Sequence, residues 1–471
     1  MFDDTIAAIA TPLGEGGLAV IRISGKDALA VADKCFQPTG NHSARPTQAA
    51  SHTIHYGNIL RGGQQVDEVL CAVMRAPRTF TREDTVEITC HGGILSTKTV
   101  LDTVLESGAR LAEPGEFTRR AFLNGRIDLT QAEAVADLIH SRTELALSAA
   151  NEQLAGKLSQ RINKLRDELM LTLAHIEAHI DFPDEDIAPD TRAQLEMRLA
   201  NAVSFMDELL RTANEGQILR RGVRAAIVGR PNAGKSSLLN QLLGHDRAIV
   251  SPIAGTTRDT IEETANVRGI PVVFIDTAGL REAKDEIESE GIRRSRESLA
   301  RAEFILHVFD ASEPLTSEDE KLLAEFAGKK RILVRNKTDL PSRLPLTPSL
   351  SPSDGERVAK PGEGNFTPVI AVSCASGYGI EQLKDAIKSL VWSGSVTTEM
   401  AQVTINSRHQ DALRRGRTGV ERALAELRGE SSLELVAADL HIAVKAVGEI
   451  VGKTTTEDLL DSIFSQFCLG K

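Results

Sequence analysis

The segment GRPNAGKS, residues 229–236, decides the fold class because it matches the phosphate-loop pattern G-x-x-x-x-G-K-[ST]. The apolar run 225–228 precedes it, and residues 237–243 follow with a helical composition. Strand, glycine-rich loop and helix form the context in which this motif holds phosphate groups. Lys235 is predicted to contact the β and γ phosphates, and Ser236 to bind magnesium through its hydroxyl. The alternative, a tight turn without a ligand, is weakened by three further motifs that follow in order.

The first of these motifs is Asp276-Thr277-Ala278-Gly279, at the end of the apolar run 272–275. An acid at this place can hold the magnesium shell, and the glycine lets a backbone N–H approach the γ-phosphate. The polar loop 251–259 lies between the phosphate loop and this strand. It is predicted to be a switch, in which a threonine hydroxyl completes the magnesium shell while the γ-phosphate is present. An ordinary surface loop is the alternative.

The other two motifs predict that the base is guanine. Asn336, Lys337 and Asp339 follow one predicted strand, and Ser373-Cys374-Ala375 follow the next. The Asp339 carboxylate can accept from the ring N–H and the amine of guanine, whereas adenine would leave it unpaired at a cost of about 1–3 kcal/mol. The stem of Lys337 can lie along the base, and residues 373–375 can cap it with backbone N–H groups. The ordered set therefore predicts GTP rather than ATP.

Leu280 stands where Ras-like GTPases carry a glutamine that orients water. A leucine side chain cannot orient water, so hydrolysis needs another polar group and another positive charge. The acidic run 282–290 supplies candidates. On pattern alone, a solvated helix face explains this run equally well.

Composition limits the class of protein. The 471 residues exceed one ordinary domain, and 55 basic against 66 acidic residues give a net charge of −11. That charge argues against a surface that binds nucleic acid without specificity. Five scattered cysteines without a C-x-x-C pair indicate neither a disulfide framework nor a zinc site, which is typical of a reducing compartment. No stretch approaches the roughly 20 apolar residues of a membrane span. The N-terminus lacks the charge pattern of a signal peptide, so we predict a cytoplasmic protein.

Apolar periodicity divides the chain into three kinds of region. Short strand-like runs and glycine turns fill residues 1–121 and predict an α+β domain. Helical spacing over residues 122–215 and again over 391–471 surrounds the GTPase pattern of residues 216–390. We therefore predict a multidomain protein in which a Ras-like P-loop GTPase domain, with a mostly parallel sheet, is inserted into one helical domain. Residues 341–366, rich in Pro, Ser and Gly, are predicted to be a disordered surface insertion.

Several stretches outside the nucleotide motifs resemble the MnmE (TrmE) family of tRNA modification GTPases, and the resemblance covers nearly the whole chain. These stretches are AAIATPLGEGGLAVIRISG (7–25), TCHGG (89–93), PGEFTRRAFLN (114–124), DFPDE (181–185) and FCLGK (467–471). The resemblance implies an N-terminal domain that binds a tetrahydrofolate and forms a homodimer, followed by the helical and GTPase domains.

The resemblance also implies the activity. It indicates a potassium-activated GTPase that works with a flavin-dependent partner, MnmG (GidA), in a heterotetramer or a larger assembly. Together they would install a carboxymethylaminomethyl-type group at carbon 5 of the tRNA wobble uridine, with the one-carbon unit taken from the folate. GTPase domains of the dimer would meet when potassium and GTP are bound. The alternative is a regulatory GTP switch in ribosome or RNA assembly.

The resemblance assigns metal ligands and a catalytic acid in the GTPase domain. Potassium falls to Asn232, helped by oxygens of Ser251, Ile253 and Thr256, and magnesium falls to Ser236 and Thr257. A cation between the phosphates can offset developing charge as an arginine would. The water-orienting acid aligns with Glu288, although Glu286 and Glu290 stay open as alternatives. The full set predicted to contact GTP is Asn232, Ala233, Gly234, Lys235, Ser236, Ser237, Ser251, Thr256, Thr257, Asp276, Thr277, Ala278, Gly279, Asn336, Lys337, Asp339, Ser373, Cys374 and Ala375. Lys235 and Glu288 are its predicted catalytic members.

For the folate, the resemblance points to Arg22, Glu87, Arg126 and Lys471. Arg22 and Glu87 lie in strand-like runs and could equally be exposed strand residues. Arg126 replaces the lysine usual in the family, which keeps the charge but changes the geometry. Cys468 is predicted either as a catalytic or folate-adjacent thiol or as a cysteine packed at a helix end.

Three basic pairs, Arg119-Arg120, Arg220-Arg221 and Arg293-Arg294, could contact RNA phosphates or the partner. Solvated helix faces and helix ends are the better explanation of each pair.

Overall fold

The computed structural model describes most of the chain, namely residues 3–181, 189–244, 262–275, 299–343, 368–392, 405–429 and 432–470. Several predicted positions lie outside these residues: Ser251, Ile253, Thr256, Thr257, Asp276, Thr277, Ala278, Gly279, Leu280, Glu286, Glu288, Glu290, the pair Arg293-Arg294, Lys471 and the segment 344–366.

The N-terminal region has an α+β fold built on one β-sheet. Its strands are β1 (Ile6–Ile9), β2 (Gly16–Ser24), β3 (Phe36–Pro38), β4 (Thr53–Arg61), β5 (Gln64–Met74), β6 (Thr85–Gly92) and β7 (Arg110–Leu111). The sheet order is β3-β4-β5-β6-β2-β1-β7, with antiparallel pairs except for the parallel pair β1 and β7. The helices are α1 (Ala28–Cys35), α2 (Ile94–Glu106) and α3 (Glu116–Leu123).

Alternation along the strands gives this sheet two different faces. Ala19, Ile21 and Ile23 of β2 are buried in a core that also takes side chains from α1 and α2. Val20 and Arg22 point to the opposite face, which we call the open face. The predicted α+β domain is therefore confirmed, with its helices α1 and α2 on one side of the sheet.

A helical region follows, and its boundaries reflect local capping. It contains α4 (Leu129–His140), α5 (Glu144–Leu154), α6 (Lys157–Asp181), α7 (Pro189–Arg211) and α8 (Ala213–Arg221). Asp128 begins α4 with a capping box, in which its side chain accepts from the Gln131 N–H and the Gln131 side chain accepts from the Asp128 N–H. Thr143 caps α5 in the simpler way, through its side-chain oxygen.

The GTPase region forms a second sheet. Its strands are β8 (Val223–Val228), β9 (Glu262–Val267), β10 (Ile270–Ile275), β11 (Phe304–Asp310), β12 (Arg331–Asn336) and β13 (Val369–Ala371). The order is β13-β12-β11-β8-β10-β9, and only β9 is antiparallel to its neighbour. Its helices include α9 (Lys235–Leu243), α10 (Ser317–Glu325) and α11 (Ile380–Val391). All residues of β10 and β11 are buried, as expected for a sheet covered on both faces.

The last helices return to the helical region and complete it. They are α12 (Ser407–Arg428), α13 (Leu433–Val451) and α14 (Glu457–Phe464). One apolar core combines α6 and α7 with α12 and α13, which lie on the two sides of the GTPase region in sequence. The predicted insertion of the GTPase domain into a helical domain is therefore confirmed. Among the described helices, none combines the length and apolarity needed to cross a membrane.

Arg120 contradicts the expectation of a solvated helix face. Its side chain is fully buried and forms ion pairs with Asp4 (2.7 Å), Glu83 (3.3 Å) and Glu116 (2.9 Å). Two of these carboxylates lie far from α3 in sequence, so a local charge pattern cannot reveal them. Arg120 is thus part of the packing of the N-terminal domain, whereas Arg119 is partly exposed and pairs with Asp461 of α14 at 2.9 Å.

Candidate functional site

The phosphate loop lies between β8 and α9, as the motif predicts. Gly234, the residue before α9, has a φ of 97°, and a Cβ there would lie 2.0 Å from Nδ2 of Asn336. Only glycine fits this position, because the conformation is left-handed and the neighbouring side chain leaves no space. The loop therefore leads directly into the N-terminus of α9, whose free N–H groups and dipole favour an anion.

Lys235 lies across this loop. Its Nζ donates to the carbonyl oxygens of Gly229 and Arg230, both at 2.7 Å. The ammonium group is thus held beside the loop backbone, where the motif requires a positive charge. Ser236 and Ser237 follow in the first turn of α9, and both are exposed. Asn232 is also exposed, with a φ of 63°.

Asn336 connects three of the predicted motifs. Its Nδ2 donates to the carbonyl of Ala233 at 2.9 Å, and its Oδ1 accepts from the N–H of Cys374 at 3.2 Å. The side chain is buried, with 2% exposure. The end of β12 therefore fixes the position of the phosphate loop relative to the loop after β13.

Lys337 and Asp339 are also held by specific partners. Asp339 accepts a hydrogen bond from the hydroxyl of Ser373 at 2.6 Å. Lys337 forms an ion pair with Asp310 at 2.6 Å. Partial burial would raise the pKa of Asp310, but hydrogen bonds from Lys337 and Ser312 outweigh it and hold that pKa below its usual value. Asp310 is therefore ionised at neutral pH and keeps the Lys337 stem in place.

Sequence reasoning missed Asp310 and Gln241. Asp310 is the last residue of the buried strand β11, and an acid after an apolar run is the same sequence pattern that predicts Asp276, so this pattern could have revealed it. Gln241 donates from Nε2 to the carbonyl of Cys374 at 2.8 Å and so supports the 373–375 loop from α9. No sequence signal distinguishes Gln241 from any other polar helix residue.

A second group of predicted residues meets on the open face of the N-terminal sheet. Arg22 and Glu87 are cross-strand partners in β2 and β6, and the Arg22 Nε donates to Glu87 Oε1 at 2.8 Å. The Arg22 Nη1 also donates to the carbonyl of Gly470 at 3.3 Å. Gly470 has a φ of 88°, and a Cβ there would lie 2.3 Å from the carbonyl oxygen of Ile9. The C-terminal segment therefore approaches the sheet at the two residues predicted to bind a folate.

The other predicted members of that group differ in position. Cys468 is exposed, and its carbonyl accepts from the N–H of Gly115 at 3.5 Å. Arg126 is exposed in the turn between α3 and α4. Within the described residues, its side chain makes no hydrogen bond to Arg22 or Glu87.

Comparisons with known proteins match almost the full length of the chain. The sequence model of the GTP-binding protein TrmE N-terminus matches residues 5–126, and that of the MnmE helical domain matches residues 129–468. The chain is 48% identical over 472 residues to the tRNA modification GTPase MnmE of Geobacillus kaustophilus, covering 99% of both chains. It is 45% identical over 471 residues to that of Bacillus subtilis, covering 99% of this chain and 100% of the relative. Among solved structures, a tyrosine-to-alanine variant of Aquifex aeolicus Era bound to GDP and AlF4⁻ is 27% identical to the chain. The match covers 42% of this chain and 66% of that one, with a TM-score of 0.26.

Proposed function

This chain belongs to the MnmE family of tRNA modification GTPases, and we propose that it binds and hydrolyses GTP at the loop between β8 and α9 in the course of modifying tRNA. The observation that carries the proposal is the bridge made by Asn336 between Ala233 of the phosphate loop and Cys374 of the base loop. This bridge supports the proposal that the phosphate loop and the base loop belong to the same nucleotide site, because it fixes the position of one loop relative to the other.

The residues present fit magnesium and potassium. Ser236 offers a hydroxyl at the start of α9, and oxygen donors are what magnesium prefers. Asn232 offers an exposed amide oxygen on the loop, and potassium takes neutral oxygen ligands of this kind. The bound cations would supply positive charge to the phosphates. The family pattern adds further proposed ligands: Thr257 for magnesium, and Ser251, Ile253 and Thr256 for potassium. It also gives Glu288 as the acid proposed to orient water.

The residues of the open face fit a tetrahydrofolate. The Arg22–Glu87 pair presents N–H donors and carboxylate acceptors side by side, which matches the adjacent donors and acceptors of a pterin ring. The carbonyl of Gly470 places the C-terminal segment at the same point. A bound tetrahydrofolate would supply the one-carbon unit, with Lys471, Arg126 and Cys468 as its further proposed neighbours.

A homodimer through the open face is part of the proposal. Four large apolar side chains lie exposed on this face: Leu18 (69%), Ile54 (67%), Tyr56 (44%) and Leu70 (46%). Ile54, Tyr56 and Leu70 are neighbours on the paired strands β4 and β5, and an exposed apolar patch of this kind is typical of protein interfaces. Pairing two open faces would bury these side chains and bring together the two Arg22–Glu87 pairs.

Family membership supports the remaining parts of the proposal. These are the flavin-dependent partner MnmG, the carboxymethylaminomethyl-type group at carbon 5 of the wobble uridine, and a cytoplasmic location. The test is mass analysis of tRNA nucleosides from a strain that lacks this chain, with and without a plasmid that restores it. Modified wobble uridines should disappear and return. Unchanged wobble uridines in the deletion strain would refute the role in tRNA modification.

The ion dependence is tested separately on the purified protein. GTP turnover should fall strongly when potassium is replaced by sodium at equal ionic strength. Equal turnover in both salts would refute the role given to Asn232. Glu288→Ala should slow hydrolysis while GTP still binds, and loss of binding would instead indicate a structural role.

A further inference from the structure

A cavity of about 740 Å³ lies where the helical region meets the connection to the GTPase sheet. Its walls come from α4, α8, the start of α12 and the C-terminal helix α14. Its volume lies in the range of about 300–1,000 Å³ that is typical of small-ligand pockets. It shares no lining residue with the phosphate loop or with the Arg22–Glu87 pair, so neither proposed site accounts for it.

Three arginines line the cavity, and one of them is fully committed to structure. Arg408 donates to both carboxylate oxygens of Glu133, at 2.9 and 3.0 Å, and to the carbonyls of Glu449 and Ile450. Its charge is thereby balanced. The role of Arg408 is to join α4 to α12 and α13.

The other two arginines have guanidinium N–H groups that can still donate to a ligand. Arg220 uses Nε to bind Asp137 at 2.6 Å, and within the described residues its two amino groups donate no hydrogen bond. Arg221 has a side chain that is 63% exposed, and its only ion pair among the described residues is to Glu303 at 3.5 Å. The guanidinium forks of both residues can therefore bind an anion, and phosphate oxygens match their geometry.

The remaining charges leave the cavity positive. Among the residues that line it, three arginines stand against two carboxylates, Glu133 and Asp137, so the lining carries a net charge of +1 before His140 is counted. Glu303, which pairs with Arg221 at 3.5 Å, is not one of the lining residues. The N-terminus of α12 also opens at this cavity through Ser407 and adds the positive end of a helix dipole.

One wall of the cavity is apolar. It is lined by Leu459 and Ile463 of α14, by Phe467 shortly after that helix, and by Ala136 of α4. A phosphate alone would leave this wall unused. A ligand that carries both an anionic group and a flat, largely apolar ring would contact both kinds of surface.

The geometry points to a second nucleotide site here, which takes a nucleoside monophosphate unit with its phosphate on Arg220 and Arg221 and its base against the apolar wall. This unit is either a free nucleotide or one nucleotide of an RNA, because both present the same phosphate and base. The site is distinct from the phosphate loop and does not depend on GTP hydrolysis.

The test measures binding of uridine 5′-monophosphate and of an RNA hairpin that carries a tRNA anticodon loop to the full-length chain saturated with GDP. Uridine without its phosphate is the ligand control. Arg221→Gln should weaken binding about tenfold, as expected for one charge-assisted hydrogen bond. Ala136→Phe should abolish binding by filling the cavity. Arg211→Gln, a surface arginine on α7, is the matched control and should bind as the parent does.

Binding of the monophosphate identifies free nucleotides as the ligand, whereas binding of the hairpin alone identifies RNA. The inference is overturned when neither probe binds, when uridine binds equally well, or when Arg211→Gln loses as much affinity as Arg221→Gln. Binding that survives both cavity variants also overturns it. GTP turnover of the unaltered chain is measured in parallel, so failure of this site is distinguishable from failure of the proposed function.

Discussion

Replacement of Asn336 by alanine tests whether the phosphate loop and the base loop are held together by one side chain. The change removes the donor to Ala233 and the acceptor for Cys374, and it leaves the carbonyl of the buried Ala233 without that partner. Two hydrogen bonds at about 1 kcal/mol each, plus part of the cost of an unpaired buried carbonyl, give about 2–3 kcal/mol. If this energy orders the nucleotide site, GDP affinity should fall between about 30-fold and 150-fold.

The assay is equilibrium titration of Asn336→Ala with a fluorescent GDP analogue in the presence of magnesium. Thr338→Val is the matched control, because it removes a single hydrogen bond of 2.9 Å to the carbonyl of Val372 and touches neither loop residue. The control should lose about 1 kcal/mol of unfolding free energy in urea and keep its affinity for GDP. Unchanged affinity in Asn336→Ala, or an equal loss in Thr338→Val, would refute the bridging role.

Three further changes test other parts of the molecule. Arg120→Met removes the buried cation shared by Glu83 and Glu116 and should lower the free energy of unfolding by about 3–5 kcal/mol in urea titration, whereas an unchanged midpoint would contradict its role. Burial and the charge of Arg331 lower the pKa of His307 to about 4, so the unfolded chain binds the extra proton first as the pH falls below about 6.5. The free energy of unfolding should therefore decline between about pH 6.5 and 4. In urea titrations at pH 7.5 and pH 5, His307→Phe should lose about 2 kcal/mol less than the parent chain does. An unaltered pH profile in His307→Phe would disprove this role of His307. Asp339→Asn should shift the relative affinity from guanine toward xanthine nucleotides by about 10- to 100-fold in competition titration, because an amide can donate to the carbonyl that xanthine has in place of the guanine amine. Retained preference for guanine would show that Asp339 does not contact the base.

The sequence predicts the elements and the motifs of the GTPase region well, because both depend on local patterns. The glycines of the phosphate loop and the apolar run before it specify a strand, a turn and a helix within a short segment. The acid or amide at the end of each parallel strand is then placed at one edge of the sheet by the topology itself. The position of Asn336 beside the phosphate loop could therefore be predicted without coordinates.

Contacts between distant segments could not be predicted in this way. Asn336 and Ala233 are separated by 103 residues, and Arg120 and Asp4 by 116. No period or spacing rule connects positions so far apart. The same holds for the 740 Å³ cavity, whose walls come from residues 133–140, 217–221, 406–408 and 459–467 and become one surface only after the chain has folded.

The GTPase sheet and the helical region form a more continuous unit than their ranges in sequence imply. Ala146 and Ala149 of α5 are buried in the same apolar cluster as Val223 and Val272 of the GTPase sheet. Arg142, just before α5, also donates to the Thr264 hydroxyl on β9, an edge strand of that sheet. Since packed interiors transmit strain, a shift of β9 relative to β8 would act on the start of α5.

The path continues from α5 to the cavity. α8 runs into β8, whose other end is the phosphate loop, and Arg220 on α8 is bound to Asp137 on α4. The ion pair therefore joins the nucleotide-binding sheet to the helix that forms one wall of the cavity. An anion bound to the amino groups of Arg220 would share the guanidinium group with Asp137, so occupancy of the proposed site would be coupled to this ion pair and through it to α8. By thermodynamic reciprocity, a ligand in the cavity that changed the affinity of the phosphate loop for its nucleotide would have its own affinity changed by that nucleotide by the same factor.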